Sequence, residues 1–348
     1  MKINNFRPIF HNTICFKGKD KSSSPFRLRQ LKTDVFERTT SLINKNKKVQ
    51  EDSAEIEIKK TYDEVFSKIC SHIPVVKKLR ITKPKLVFRE NPKATAAYNF
   101  PSNTIEIDPA YKEDLYAYQI FDKDGNLIDC GISFKNKIKK SFSKDKKINC
   151  KMIKLNPDEK KLYLKSILAH ELRHWAQDHI LASTKGCQEP YNYRINLINS
   201  LLSAIEELIE IAKANKSLNQ NLKQYQTMLD ESRKNNAYIL GYAPKEFLDE
   251  DFMLETSILP YETKYWSIKD HFLPAALRYS NSDEKEYSSN PLEIDAYYFQ
   301  AEFMSDEKDS KADIREDIFL AMMCNSIEKG FEAIEKIEEF GYPPLLED

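Results

Sequence analysis

The hydrophobic period changes several times along this chain, and each change marks an element. Over residues 51–80, Ile56, Ile58, Tyr62, Val65, Phe66 and Ile69 recur at near-helical spacing, which predicts an amphipathic helix. The period then shortens. Lys85-Leu86-Val87-Phe88-Arg89 reads as a strand. Ala96-Ala97-Tyr98 and Asn103-Thr104-Ile105-Glu106-Ile107 flank Pro101-Ser102 as a hairpin or a bent strand. Residues 116–121 and 127–134 form a clearer hairpin, because Asp124-Gly125 between them is a strong turn signal. Residues 135–151 read as a lysine-rich loop.

The helical period returns at Asn156. Asn156 is a suitable N-cap, Pro157 suits the first helical position, and Glu159 can reach back to complete a capping box. This helix should run to about residue 183, with Gly186 just past its end. From 191 to 234, Ile195, Ile198, Leu201, Leu202, Ile205, Leu208 and Ile209 make one apolar face, and two antiparallel helices joined near 214–218 are expected. Pro244, Pro260 and Pro274 interrupt any long helix in 240–289, so that stretch is mixed. A further helix opens at Asn290-Pro291, and one or two more fill 312–340.

Residues 1–50 hold 12 Lys/Arg against 3 Asp/Glu and read as a flexible basic arm, with at most one short helix near 31–43. A solvated tail explains them better than a nucleic-acid contact. The expected organisation is therefore the arm (1–50), an α+β part with a small sheet (51–187), a helical insertion (188–285) and C-terminal helices (286–348). The whole chain balances 54 basic against 54 acidic residues, so no global field draws it to nucleic acid or an anionic membrane.

Composition excludes several chemistries. The seven glycines include no G-x-G-x-x-G turn and no G-x-x-x-x-G-K-[ST] loop, so the usual phosphate cradles are absent. G-x-S-x-G is absent as well, which removes the common serine-hydrolase elbow. Six cysteines without a C-x-x-C pair point to reduced thiols rather than a zinc knuckle or a disulfide framework. No apolar run is long enough to span a bilayer. The apolar stretch near the N-terminus is broken by His11, Asn12 and Thr13, unlike a Sec signal. A cytoplasmic location is the expectation, although unconventional export would leave no such trace. Oligomeric state is not specified by the pattern.

One segment carries chemistry. His170-Glu171-Leu172-Arg173-His174 is an H-E-x-x-H motif inside the best-capped helix of the chain. Residues four apart on a 3.6-residue turn project from one face, so both imidazoles can bind one Zn²⁺. Glu171 is offset by about 100° from His170. There its carboxylate lies beside the water that the ion activates, and it can accept and return a proton. Two histidines and a water leave one protein ligand to find. A third histidine six residues after His174 would fall at Ile180; His179 is one residue short and no glycine intervenes, so that solution is rejected. A downstream glutamate on a second helix remains, and Glu293 is the candidate, although a glutamate at that position also suits a capping box.

His170-Glu171-x-x-His174 followed by Glu293-x-Asp295-Ala296-x-x-Phe299-x-Ala301-x-Phe303-Met304 resembles the gluzincin metallopeptidases, in particular the small zinc peptidases of the ImmA/IrrE type. The resemblance covers roughly residues 84–182 and 286–305. It implies a zincin-like domain with Zn²⁺ as cofactor and Glu293 as the third ligand. It also implies that Asn103, Thr104 and Ile105 lie on the edge strand that holds an extended substrate. Asp295, near the start of the ligand helix, is expected to accept an N–H from a ligand histidine. Trp175, Tyr297 and Tyr298 are expected in the core. The 119-position separation of His174 and Glu293 departs from the compact family pattern and keeps Glu255, Glu262 and His271 as alternative ligands.

The expected function is metal-dependent hydrolysis of peptide bonds, with a peptide or protein as substrate. A narrow-specificity protease acting on one regulatory protein is an alternative within that chemistry; no helix-turn-helix accompanies it. A catalytically idle, zinc-stabilised interaction protein is the alternative from another class, with the helical insertion as its binding surface. Glu171 separates them, because a structural zinc site does not need that carboxylate.

Overall fold

Helical and strand periods assemble here into an α+β arrangement in which one long buried helix is surrounded by other helices and small sheets. The computed structural model describes residues 53–89, 95–125, 127–134, 149–214, 219–255, 265–279, 290–308, 314–319 and 322–323. The basic arm, Glu262 and most of 312–340 lie outside the described residues.

Helix α1 (Ser53–His72) buries Ile58, Tyr62, Val65 and Ile69, one stripe at helical spacing. Ile56 was expected on that stripe but is 55% exposed, because two residues before Ile58 it lies about 200° round the helix. A short helix α2 (Pro74–Lys78) follows. Strands β1 (Lys85–Phe88), β2 (Ala96–Asn99) and β3 (Thr104–Ile107) form a mixed sheet in the order β1-β3-β2. β1 is parallel to β3, and β2 is antiparallel to it. The second sheet is antiparallel, with β4 (Leu115–Phe121) between β5 (Leu127–Phe134) and β6 (Asn149–Lys154). Gly125 takes φ +85° in the β4–β5 turn, a conformation that glycine reaches without strain. The lysine-rich loop is shorter than expected: Asn149, Cys150 and Lys151 pair with β4 as the first half of β6.

Helix α3 (Pro157–Ser183) begins with the expected capping box. The Glu159 N–H donates to Asn156 Oδ1 at 2.9 Å, and the Asn156 N–H donates to Glu159 Oε2 at 2.8 Å. Arg315 binds the same Glu159 carboxylate, which ties a later segment to this end of the helix. α3 has no single apolar stripe, because α1, β2 and the helices that follow cover it on most sides. Helices α4 (Glu189–Ala214) and α5 (Leu222–Asn235) are the antiparallel pair expected, followed by α6 (Ala237–Gly241). The buried stripe of α4 is Ile198, Leu202, Ile205, Ile209 and Ala212; Leu201 lies off it and is exposed. Residues 240–279 are mixed: a hairpin of β7 (Met253–Glu255) and β8 (Tyr265–Ser267), a π-helical turn (Ile268–Phe272) and α7 (Leu273–Tyr279). Buried residues of α4–α7 belong to the same continuous core as those of α1 and α3. Helix α8 (Pro291–Lys308) then packs along α3.

No described helix is long and apolar enough to cross a membrane. None of Cys70, Cys130, Cys150 and Cys187 is in a disulfide.

Candidate metal centre

Helical geometry places His170 and His174 one turn apart on α3, with ring centroids 4.7 Å apart and Nε2 atoms 3.1 Å apart. Glu293 comes from the first turn of α8. The Asn290 side chain caps that helix by accepting from the Leu292 N–H at 2.9 Å, and its own amide donates to the Ala275 carbonyl. The Glu293 carboxylate stands where a capping-box partner would. It turns to the histidines, with Oε1 3.1 Å from His174 Nε2 and Oε2 3.5 Å from His170 Nε2. A tetrahedral ion with ligand bonds of about 2.0–2.1 Å has ligand–ligand edges of about 3.3–3.4 Å. The three observed separations bracket that edge. These residues form one group able to hold a metal ion, with Glu293 fully buried.

The electrostatics follow from the burial. Burial acts to raise the Glu293 carboxyl, but the His174 and His170 imidazoles outweigh it and hold it well below the usual carboxylate range. Burial likewise acts to lower His174, and Glu293 and Glu171 overcome it and push it up. Glu171 is raised by burial, against the opposing effect of both histidines.

Glu171 is oriented from the sheet. The Tyr98 N–H of β2 donates to its Oε2 at 2.7 Å. This corrects the expected substrate strand. Asn103, Thr104 and Ile105 stand at and in β3, the middle strand, because β1 pairs with the side of β3 that β2 leaves open. The Asn103 amide donates to the Thr82 carbonyl and its Oδ1 accepts from Tyr98 OH; Thr104 contacts Ser102; Ile105 is wholly buried. Among the described residues, the sheet edge beside Glu171 is β2.

Asp295 is buried as a partner residue, but it does not reach a ligand histidine directly. It forms a two-pronged pair with Arg173, at 2.6 and 2.9 Å. Gln177 stands between Asp295 and His174. Sequence reasoning missed Gln177 and Arg173; the available signal was that Gln177 lies one turn beyond His174 on the same helix. Trp175 and Tyr298 lie in the core as expected. Tyr297 does not: it is half-buried, and its ring centroid is 4.6 Å from that of His170.

Of the alternative ligands, Glu255 and His271 lie elsewhere among the described residues. Glu255 contributes its backbone carbonyl, which accepts from Arg173. His271 stacks on Trp266. His179 faces away into an aromatic cluster with Phe100, Tyr238 and Tyr242. Its Nδ1 donates to the Trp175 carbonyl and its Nε2 accepts from Tyr238 OH, both at 2.7 Å.

No family model, curated protein or solved structure matches this chain.

Proposed function

We propose that this chain is a zinc-dependent metallopeptidase with a zincin-like catalytic part. The observation that carries this reading is the convergence of His170, His174 and Glu293 next to Glu171 and the β2 edge of the sheet. Two imidazoles and one carboxylate leave the fourth tetrahedral position open, the arrangement of catalytic rather than closed structural zinc.

His170, His174 and Glu293 would hold the ion. Zinc bound there would polarise the scissile carbonyl and lower the pKa of the attacking water. With zinc bound, Glu171 would serve as the base for the attacking water and the acid for the leaving amine. Tyr98 holds one Glu171 oxygen and so orients the carboxylate. Since the Tyr98 N–H points outward from the sheet, alternation along β2 points the Ala96 backbone groups outward as well. An extended peptide can pair with them as an added strand, which brings its carbonyls past Glu171. In this reading the helical block 188–285 would cap or wall the cleft.

The test is cleavage of a peptide library by zinc-loaded protein, read by mass spectrometry of new termini. Cleavage is expected with the wild type and absent with Glu171→Gln. Equal cleavage by both, or none by either across a diverse library, would count against the reading.

A further inference from the structure

Gln177 makes three hydrogen bonds, and the chemistry of its partners assigns the direction of each. Its Nε2 lies 3.0 Å from the Leu292 carbonyl and 2.7 Å from Asp295 Oδ2. Arg173 has only donors and engages both Asp295 oxygens, so Asp295 acts as an acceptor on each. The nitrogen end of the Gln177 amide must therefore face Leu292 and Asp295, and its Oε1 must face His174 Nδ1, 2.8 Å away. A carbonyl oxygen only accepts. His174 thus carries a hydrogen on Nδ1, which leaves Nε2, the atom 3.1 Å from Glu293 Oε1, as its metal-binding nitrogen.

We propose that Gln177 is the positioning residue of the metal centre. Backed by Asp295 and Arg173, it sets the tautomer and ring plane of His174. Because Leu292 immediately precedes Glu293, the same carboxamide also registers the ligand on α8 against those on α3. His170 has no equivalent: its Nδ1 is buried with no hydrogen-bond partner among the described residues. The control of ligand orientation therefore falls on the His174 side. The proposal rests on His174 being a metal ligand.

An amide is required here rather than the carboxylate that more often backs a ligand histidine. A carboxylate would accept well from His174 but could donate to neither Leu292 nor Asp295. This separates a relay from a simple acceptor. Gln177→Glu weakens metal binding if the relay matters and preserves or tightens it if only the His174 contact matters.

The experiment uses the full chain, with zinc affinity measured by competition against a chromophoric chelator. The ligand-field spectrum of the Co²⁺-loaded protein is the second readout. Gln177→Leu is expected to raise the dissociation constant about 10–100-fold and to shift the Co²⁺ bands. Gln177→Glu should weaken binding too. If the leucine variant does not fold in its metal-free form, Gln177→Asn, which keeps the amide but shortens its reach, takes its place with the same expectation. Wild-type affinity in the leucine or asparagine variant, or tighter binding by Gln177→Glu, would overturn the proposal while leaving the metal centre intact. A wild type that retains neither zinc nor cobalt would overturn both.

Discussion

His174 and Glu293 are 119 residues apart in the chain, yet their side chains meet at 3.1 Å. The contact exists because α8 lies along α3 and the intervening segment leaves α3 and returns through the same core. Closing a loop of that length rather than a short one costs about 2 kcal/mol, since the cost grows only with the logarithm of length. Burial along the α3–α8 interface offsets a cost of that size easily: about 25 cal/mol per Å² means that some 80 Å² of apolar surface suffices.

The first expectation concerns metal content. Purified protein loaded with zinc should retain one equivalent, and His170→Ala, His174→Ala and Glu293→Ala should each lose it. Elemental analysis of the loaded wild type decides this. Retention below about a tenth of an equivalent would remove the metal centre.

On the proposed mechanism Glu171 would act on water and not on the ion, so Glu171→Gln should keep its zinc. Hydrolysis should fall by about 10²–10⁴-fold, the usual contribution of a positioned acid–base group. Metal content and turnover measured on the same preparation separate the two roles. Zinc lost together with activity would assign Glu171 to the coordination sphere instead.

Metal should also act as a clamp between α3 and α8. At a free zinc concentration about 100 times the dissociation constant, the folded state gains about 2.7 kcal/mol. That gain should raise the melting temperature by about 4 °C in a chain of 348 residues. Calorimetry on chelator-stripped and reloaded protein reads the shift. Glu293→Gln should shrink it, because that variant loses the charged ligand supplied by α8.

Acid sensitivity should carry a contribution from His179. Burial pushes this imidazole down to about 3, well below its unfolded value of about 6.5. Below about pH 6.5 the unfolded chain binds a proton that the folded chain refuses. This part of the stability is therefore intact above about pH 6.5 and is lost as pH falls toward 3, by up to ~1.4 kcal/mol per pH unit. Denaturant titrations across that range should show a slope smaller by about one proton in His179→Gln than in the wild type.

Arg173 and Asp295 form a buried ion pair at 2% and 0% exposure, so removing one partner strands the other's charge. Asp295→Ala should cost about 3–5 kcal/mol, whereas the apolar pair Arg173→Met with Asp295→Leu should cost much less. A double-mutant cycle by chemical denaturation measures the difference. An Asp295→Ala cost under about 1 kcal/mol would mean the pair is better solvated than its burial implies.

Local rules made much of this protein legible from its sequence. The limits of α3 follow from Asn156, Pro157, Glu159 and Gly186, and the β4–β5 turn follows from Asp124-Gly125. These signals act between residues a few positions apart. His170, Glu171 and His174 were equally legible, because helical spacing alone sets which side chains share a face. Glu293 was legible as a candidate through the resemblance to gluzincins. What separates it from a plain N3 capping residue is that its carboxylate stands 3.1 Å from His174 Nε2.

Position in the sheet was not legible. Whether Thr104 and Ile105 lie at an edge depends on where β1 pairs, and that parallel pairing is non-local and leaves no periodic trace within β3 itself. Asp295 shows the same limit from the side-chain end. Its sequence position near Glu293 suggested direct contact with a histidine, but Arg173 and Gln177, 122 and 118 residues away, reach it first. The sequence by itself determined the helices, their caps and the two histidines with their glutamate, because short-range spacing controls each of them. Only the tertiary structure decided which strand is exposed, which carboxylate faces the imidazoles and what holds His174 in place. Those outcomes depend on which long-range partners fill the limited space around α3.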